Sequence, residues 1–235
     1  MADGDLDRVL RDQIAYYRAR AGEYDEWFLR QGRYDRGAEA NARWFDEVET
    51  VVRALDAFHP AGAVLELAAG TGLWTQRLAP YATTLTVVDA APEVLAINQR
   101  RLGEHEGVRY VEADLFTWRP DERYDAVFFG FWLSHVPDER FATFWELVRS
   151  ALAPGGHVFF VDSLYTQEST ARDHVLRGPE ASRMTRRLND GREYEIVKVF
   201  HEPRALAARL AALGWQADVR STGSYFVYGT AAPAE

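Results

Sequence analysis

The stretch AVLELAAGTGLWTQRLAP, residues 63–80, decides the fold. Its apolar beginning predicts a buried strand that ends at Glu66, and residues 73–79 predict a helix. Gly70 and Gly72 lie in the turn between them, where a backbone without Cβ lets a ligand approach the main chain. The N–H groups at the start of the helix would face that ligand. The stretch therefore predicts a strand, turn and helix unit that binds a small molecule.

The acids at the ends of the next predicted strands point the same way. A second predicted strand, 85–88, ends at Asp89, about 20 residues beyond the glycines, where nucleotide-binding α/β units place an acid for ribose hydroxyls. A third, 108–112, leads to Asp114. Three strand ends, including that of Glu66, thus carry acids, and open α/β sheets bind ligands at such ends. A glycine turn with ordinary acidic strand ends in a cofactor-free protein is the alternative.

The local details favour S-adenosylmethionine over a dinucleotide. The dinucleotide fingerprint needs a third glycine where this chain has Thr75. Glu66 would repel a pyrophosphate, whereas it would attract the cationic sulfonium and amino group of S-adenosylmethionine. A nicotinamide-dependent oxidoreductase is therefore the disfavoured alternative from another enzyme class. A cofactor-binding protein without catalysis is a further alternative.

The glycine turn resembles the first motif of the class I S-adenosylmethionine-dependent methyltransferases, which has the form acid-x-Gly-x-Gly-x-Gly. Glu66, Gly70 and Gly72 match it, whereas Ala68 stands where the first glycine is usual and brings a methyl group close to the cofactor. The resemblance extends over about residues 15–230. It implies an α/β fold with a Rossmann-like, seven-stranded, mostly parallel sheet and helices on both faces.

The resemblance also implies which residues bind the cofactor. Asp114 would contact the adenine amino group, and the backbone of Leu115 would contact the ring. Tyr17 and Tyr24 have the spacing of an N-terminal motif that is similar to that of quinone-type and related small-molecule methyltransferases, where it forms a lid over the cofactor. Simple packing of a peripheral helix is the alternative for both tyrosines. The predicted cofactor-binding residues are Tyr17, Tyr24, Glu66, Ala68, Gly70, Gly72, Trp74, Asp89, Ala90, Asp114, Leu115 and Phe131.

The loop after a fourth predicted strand, 124–129, supplies the catalytic candidate. From Gly130 it resembles the corresponding loop of ubiquinone and menaquinone methyltransferases, but Ser134 and His135 replace an Arg-Asn pair, which argues against a quinone acceptor. His135 is the predicted base, because imidazole titrates near neutrality and can take a proton from a hydroxyl or amine. A packing role, or a hydrogen bond to the start of the next helix, is the alternative for His135.

Composition limits the partners. With 27 Lys+Arg against 36 Asp+Glu, the net charge of −9 disfavours nucleic acid, whose binding depends on neutralising phosphates. The absence of cysteine excludes disulfides, thiolate zinc sites and a cysteine nucleophile. No cluster of His, Asp and Glu has metal-ligand spacing, so we predict no metal. The acidic N-terminus lacks a signal-peptide core, and no apolar run approaches the roughly 18 residues of a membrane span, so a cytoplasmic protein is expected.

We predict two parts of the chain. Residues 1–60 form an N-terminal helical lid segment that includes a core-facing helix over 38–58. Residues 61–235 form the cofactor-binding core, with a substrate cap inserted at 163–202. Asn189-Asp190-Gly191 predicts a hairpin in the cap. The basic residues of the cap either hold an acidic acceptor or form a solvated surface, the latter being favoured. They are Arg172, Arg177, Arg183, Arg186, Arg187 and Lys198.

The remaining elements complete the predicted core. A helix over 138–152 is followed by a Pro-Gly-Gly turn at 153–156 and a fifth strand at 157–162. A helix and an antiparallel pair of strands end the chain. These features predict a methyltransferase that moves the methyl group of S-adenosylmethionine to a hydroxyl or carboxyl oxygen of a small molecule by in-line displacement. N-methylation of a small amine is the alternative within the class, and a homodimer stays open.

Overall fold

The computed structural model describes residues 2–234, and it describes side chains from residue 4 onward. The outer ends of the two predicted parts, Met1 and Glu235, lie outside the described residues. The helices are α1 (Ala2–Arg20), α2 (Asp25–Phe28), α3 (Ala38–Phe58), α4 (Thr75–Leu78), α5 (Pro92–Leu102), α6 (Asp138–Ala151) and α7 (Pro203–Ala212). The strands are β1 (Gly62–Leu67), β2 (Ala82–Asp89), β3 (Val108–Glu112), β4 (Tyr124–Gly130), β5 (Leu152–Ser163), β6 (Arg183–Arg187), β7 (Glu193–Val197), β8 (Trp215–Ser221) and β9 (Phe226–Pro233).

The central sheet has the strand order β3-β2-β1-β4-β5-β9-β8. Its strands from β3 to β5 run parallel, and β9 is antiparallel to both of its neighbours. Because β1 pairs with β2 on one side and with β4 on the other, the strand order reverses between β1 and β4, and a ligand cleft is expected beyond their carboxyl ends. The predicted fold class is confirmed.

Two apolar layers cover the faces of this sheet, because successive side chains of a strand point to opposite sides. Val64 packs in the layer that contains α3, whereas Leu65 packs in the layer that contains α6 and α7. The largest side chains of the two layers are fully buried, with Trp44 on one side and Trp145 on the other. The packing on both faces therefore holds the ends of the strands in place.

The helix over 38–58 begins and ends where the sequence predicted. The helix predicted over 73–79 is shorter, because successive turns around Gly72, with φ of 91°, delay its start until Thr75. The ligand-facing main chain is therefore that of the loop itself. The prediction that this helix spans residues 73–79 is wrong.

The Pro-Gly-Gly turn predicted at 153–156 is part of β5 instead of preceding it. The pairing of β4 with β5 shifts register between Tyr124 and Ala126, so the extra residues form an irregularity in a continuous strand. A Cβ at Gly156 would lie 2.9 Å from the carbonyl oxygen of Tyr124, so only glycine permits this close approach.

The lid and cap segments pack against each other beside the central sheet. The predicted hairpin is present as β6 and β7, joined at Asn189-Asp190-Gly191, and α1 lies along it. Tyr16 of α1 is fully buried there against Met184 and Ile196. Within residues 2–234, none of the helices combines the length and apolar character that a membrane crossing requires.

Candidate active site

A cavity lies beyond the carboxyl ends of β1, β2 and β4, at the position where the strand order reverses. Its walls come from the sheet on one side and from α1 on the other. The predicted site residues that line it are Tyr17, Tyr24, Ala68, Gly70, Asp89, Ala90, Asp114, Leu115, Phe131 and His135. We refer to it as the cofactor cavity.

Asp89 holds the glycine loop in place from the end of β2. One carboxylate oxygen accepts from the Gly70 N–H at 2.9 Å, and the other accepts from the Ala91 N–H at 2.9 Å. Burial raises the pKa of Asp89 to about 6, although these backbone hydrogen bonds oppose the shift. Each oxygen keeps a second lone pair that can accept from ribose hydroxyls.

Asp114 follows β3 at the same edge of the sheet. Its Oδ1 accepts from the Phe116 N–H at 2.9 Å, which fixes the orientation of the carboxylate. Asp114 and the neighbouring Leu115 both line the cofactor cavity. The pair can therefore contact the edge and the face of a heteroaromatic ring.

Glu66 lines a smaller cavity next to the first, together with Trp74. Its carboxyl group accepts from the Thr75 hydroxyl at 2.6 Å and is 1% exposed. Burial raises the pKa of Glu66 to about 8, so a cationic ligand group would restore its charge. The Trp74 indole N–H is buried and has no hydrogen-bond partner among residues 2–234, so a ligand acceptor would satisfy it.

The predicted glycines have different roles. A Cβ at Gly70 would contact the ring of Tyr24 at 3.4 Å, so the lid tyrosine lies directly over the loop. A Cβ at Gly72 would lie 2.7 Å from the Asn98 side chain, and Gly72 lines none of the cavities described here. Gly72 thus permits packing of the loop and does not face the ligand space.

Two other residues that line the cofactor cavity have backbones in the left-handed region. Ala68 has φ of 53° and Phe131 has φ of 57°. For residues with a Cβ this conformation costs on the order of 1–2 kcal/mol, and such strain concentrates at ligand sites. The positive φ of Ala68 explains why the methyltransferase motif that this turn resembles usually has glycine at this position.

The lid is tied to the glycine loop by an ionic network. Asp25 of α2 accepts from the Thr71 hydroxyl and pairs with Arg101 of α5. The Arg101 guanidinium also donates to the Thr71 carbonyl oxygen at 2.7 Å. The described residues therefore fit the predicted cofactor: Asp89 and Asp114 line the cofactor cavity, the buried Glu66 with its raised pKa lies next to it, and the ring of Tyr24 lies over the loop.

His135 is buried where the lid, the cap and the loop after β4 meet. Its Nδ1 lies 2.8 Å from the Val197 carbonyl oxygen, which only accepts, so Nδ1 carries the proton. Its Nε2 therefore accepts from the Tyr17 hydroxyl at 2.7 Å. Burial first and the charge of Lys198 second hold the pKa of His135 well below its usual 6.5. The imidazole is neutral with its basic nitrogen toward Tyr17.

A second cavity adjoins the cofactor cavity and lies under the cap. We refer to it as the acceptor cavity. Four residues line both cavities and so mark the passage between them: Tyr17, Tyr24, Phe131 and His135. Three cationic side chains converge on the acceptor cavity, namely Arg20, Arg186 and Lys198.

These cations come from three elements. Lys198 follows β7, is 6% exposed, donates to the Ser134 hydroxyl at 2.7 Å and lies 3.6 Å from the Asp162 carboxylate. Burial lowers the pKa of Lys198 to about 8. Arg20 of α1 is 9% exposed, and its guanidinium carbon lies 5.1 Å from the centre of the Tyr24 ring.

The structure separates the basic residues of the predicted cap. Only Arg186 and Lys198 line the acceptor cavity, whereas Arg183 and Arg187 pair with carboxylates near the surface. Sequence reasoning missed Arg20, because nothing in the pattern of α1 distinguishes it from the other arginines there. Metal independence stays a prediction; the described residues contain no group of three or more possible ligands.

Comparison with known proteins agrees with this geometry. A family model described as "Methyltransferase domain" matches residues 64–156. Nodulation protein S from Rhizobium tropici is 31% identical over 104 residues, which cover 43% of this chain and 43% of that protein. The match thus spans less than half the length of this curated relative.

Two solved structures match over almost the whole of both chains. The DhpI-SAH complex is 40% identical, with a TM-score of 0.79, and the alignment covers 96% of this chain and 97% of that one. The DhpI-SAM-HEP complex is also 40% identical, with a TM-score of 0.80 and coverage of 96% and 98%. Together with the acids and the glycine loop at the strand ends, these matches show that this chain belongs to the class I S-adenosylmethionine-dependent methyltransferases.

Proposed function

We propose that the protein transfers the methyl group of S-adenosylmethionine to an oxygen of a small, negatively charged acceptor. The observation that carries the proposal is the convergence of Arg20, Arg186 and Lys198 on the acceptor cavity, next to the cofactor cavity. The first part follows from family membership. The acceptor class follows from the charges of the second cavity.

The cations are incompletely balanced by the protein. Arg20 donates to the Tyr34 hydroxyl and Arg186 donates to His174, and among the described side chains, those of residues 4–234, no carboxylate lies within 4.0 Å of either guanidinium. Only Lys198 has a carboxylate nearby. Buried charge is costly unless it is paired, so an anionic ligand would stabilise this cavity.

The same charges argue against the alternative of N-methylation. An amine that is protonated in solution would have to enter a cavity where two guanidinium groups and an ammonium group repel it. An oxyanion or a hydroxyl on an acidic molecule meets no such barrier. The charged guanidinium groups can also hold a planar or tetrahedral acid by paired hydrogen bonds.

The cofactor would be held by the predicted residues in distinct roles. Asp89 accepts from the ribose hydroxyls, Asp114 and Leu115 contact the adenine, and Glu66 balances the positive charge of the methionine portion. When bound, the cofactor supplies an electrophilic methyl group. The acceptor oxygen would lie near the passage that Tyr17 and its neighbours form, with His135 as the predicted base.

The test begins with calorimetric titration of S-adenosylhomocysteine, with NAD(H) as a control. A panel of small carboxylic, hydroxycarboxylic, phosphonic and phosphoric acids is then compared with a panel of amines by the release of S-adenosylhomocysteine. Turnover of acids and none of amines is expected. Preference for NAD(H), or turnover of amines alone, would contradict the proposal.

A pair of adjacent arginines offers a matched control. We expect Arg186→Met to raise the KM of the acid about 10- to 100-fold, because a charge-assisted hydrogen bond is lost, while the affinity for S-adenosylhomocysteine stays unchanged. Arg187→Met removes an arginine whose side chain is 54% exposed and pairs with Glu193, so it should change neither quantity. Equal effects of the two substitutions would contradict the assignment of the acceptor cavity.

A further inference from the structure

We propose that Tyr17 is the residue that takes the proton from the acceptor oxygen, and that it passes its own proton to His135. This inference rests on the proposed function, because it concerns an acceptor oxygen that still carries a proton. It assigns to Tyr17 a role beyond covering the cofactor.

The hydrogen bonds around His135 give the relay its direction. The Val197 carbonyl oxygen can only accept, so Nδ1 of His135 is the donor and Nε2 carries the lone pair. The Tyr17 hydroxyl must then donate to Nε2, at 2.7 Å. Gln13 holds the same region in place, since it donates to the His135 carbonyl oxygen and accepts from the Val197 N–H. The proton of Tyr17 is thus already directed at a base.

The position of Tyr17 between the two cavities supports the same order of proton transfer. The Tyr17 hydroxyl occupies the basic nitrogen of His135, so a proton passes from the acceptor to that nitrogen through this hydroxyl unless the acceptor displaces it. Tyr17 lines both cavities, and its oxygen keeps lone pairs for an incoming hydroxyl. Burial raises the pKa of Tyr17 well above its usual 10, so it stays neutral and transmits a proton instead of storing a charge.

The step balances without any further reactant. The acceptor oxygen forms its bond to the methyl group while the sulfur keeps the electron pair of the broken S–C bond. The acceptor O–H bond breaks, and its proton moves to the Tyr17 oxygen as the original Tyr17 proton moves to Nε2. His135 becomes an imidazolium whose Nδ1–H still donates to Val197. After release of the methylated product, the proton returns through Tyr17 to water.

The charges around His135 couple this relay to the acceptor. The groups that face it are Tyr17, Arg20 and Tyr24 from the lid, Arg186 and Lys198 from the cap, and Asp162 behind Lys198. In the absence of an anion the three cations oppose an imidazolium. The anionic group of the acceptor offsets them, so His135 takes up a proton more readily when the acceptor is bound.

Three substitutions test the relay in the full-length protein. Tyr17→Phe removes the hydroxyl, and His135→Gln keeps an acceptor for the Tyr17 hydroxyl but no base. Tyr16→Phe is the matched control, because the Tyr16 hydroxyl is buried without a hydrogen-bond partner among the described residues. We expect the first two to lower kcat about 10²- to 10⁴-fold and to remove the acid limb of the pH profile, with KM and the Kd of S-adenosylhomocysteine within about threefold of the unsubstituted protein.

The outcomes separate this inference from the proposed function. If the unsubstituted protein does not bind S-adenosylhomocysteine, or turns over none of the acids, the proposed function is contradicted. Normal kcat in Tyr17→Phe, or in His135→Gln, with an unchanged pH profile contradicts the relay alone.

A second readout needs no turnover. The ¹⁵N resonances of His135 are followed by NMR in the complex with S-adenosylhomocysteine, with and without inorganic phosphate as the anion. We expect Nε2 to become protonated at a higher pH when phosphate is present, and its shift to change in Tyr17→Phe. An Nε2 that stays unprotonated at pH 5 with phosphate bound would overturn the relay.

Discussion

The cofactor cavity and the acceptor cavity share four residues, yet they are built in different ways. The cofactor cavity consists mainly of loops that directly follow β1, β2, β3 and β4. Asp89 at the end of β2 and Asp114 after β3 line it, and Glu66 near the end of β1 lines the smaller cavity next to it. The acceptor cavity is assembled from α1, the cap and the end of β5, which are distant in sequence. The first is therefore an edge of the sheet, and the second is an interface between segments.

The difference extends to charge. Asp89 lines the cofactor cavity and Glu66 lines the smaller cavity next to it, and burial raises the pKa of both carboxyl groups. Cations face the acceptor cavity, and burial lowers the pKa of Lys198. Each cavity thus holds charges that a ligand of opposite character would stabilise. The comparison teaches that a positively charged cofactor and a negatively charged acceptor can be separated within one site.

The largest expected effect comes from a substitution in the cofactor cavity that leaves the acceptor cavity unchanged. Asp89→Ala removes the acceptor of the Gly70 and Ala91 N–H groups and of the predicted ribose contacts, so we expect the Kd of S-adenosylhomocysteine to rise about 100-fold or more. Calorimetry measures it, and Asp46→Ala on the exposed face of α3 is the control. An unchanged Kd in Asp89→Ala would remove the basis for the assignment of this cavity.

An intermediate effect is expected from pH. The pKa of Asp89 is raised to about 6 by burial, and hydrogen bonds from ribose would favour the charged form, so cofactor binding releases a proton below that pH. The affinity for S-adenosylhomocysteine should therefore be constant with respect to this group above about pH 7 and fall up to tenfold per pH unit below about 6. Calorimetric titrations from pH 5 to 8 measure this, and Asp89→Asn should flatten the profile between 5 and 6. A profile that is identical in the variant would assign the dependence to another group.

The smallest effect concerns how the lid is held on the cap. Arg8 of α1 pairs with Glu195 of β7 at 2.9 Å, and both side chains are substantially exposed. Solvent and salt screen such pairs, so Arg8→Met should lower Tm by less than about 2 °C, with a smaller difference in 0.5 M NaCl than at low salt. Differential scanning calorimetry at the two salt concentrations measures this. A large loss of stability would mean that the lid depends on ion pairs more than on the apolar contacts of Tyr16.

Much of the fold could be predicted from the sequence because the decisive signals are local. The apolar spacing of 38–58 predicted α3, and Asn189-Asp190-Gly191 predicted the hairpin of β6 and β7. The wrong predictions occur where tertiary contacts override a local signal. The Pro-Gly-Gly segment stays in β5 because Gly156 packs against the backbone of β4.

The candidate site divides in the same way. Most predicted cofactor residues do line the cofactor cavity, since all of these except Tyr17 and Tyr24 follow or end a strand that the sheet holds in place. Gly72 does not line it and instead makes room for the Asn98 side chain. The sequence pattern of the turn cannot distinguish such a glycine from one that contacts a ligand. The binding roles of these residues stay predictions that the experiments above would decide.

The sequence by itself determined the sheet, the acids at its strand ends and the kind of cofactor they suit, because strand, turn and spacing are properties of neighbouring residues. Only the tertiary structure decided which of the many arginines line the acceptor cavity. It brings Arg20 to within reach of Arg186 and Lys198 and leaves Arg183 and Arg187 in surface pairs. It also directs the Tyr17 hydroxyl at His135. Such long-range contacts depend on how the lid packs against the cap, which no local pattern records.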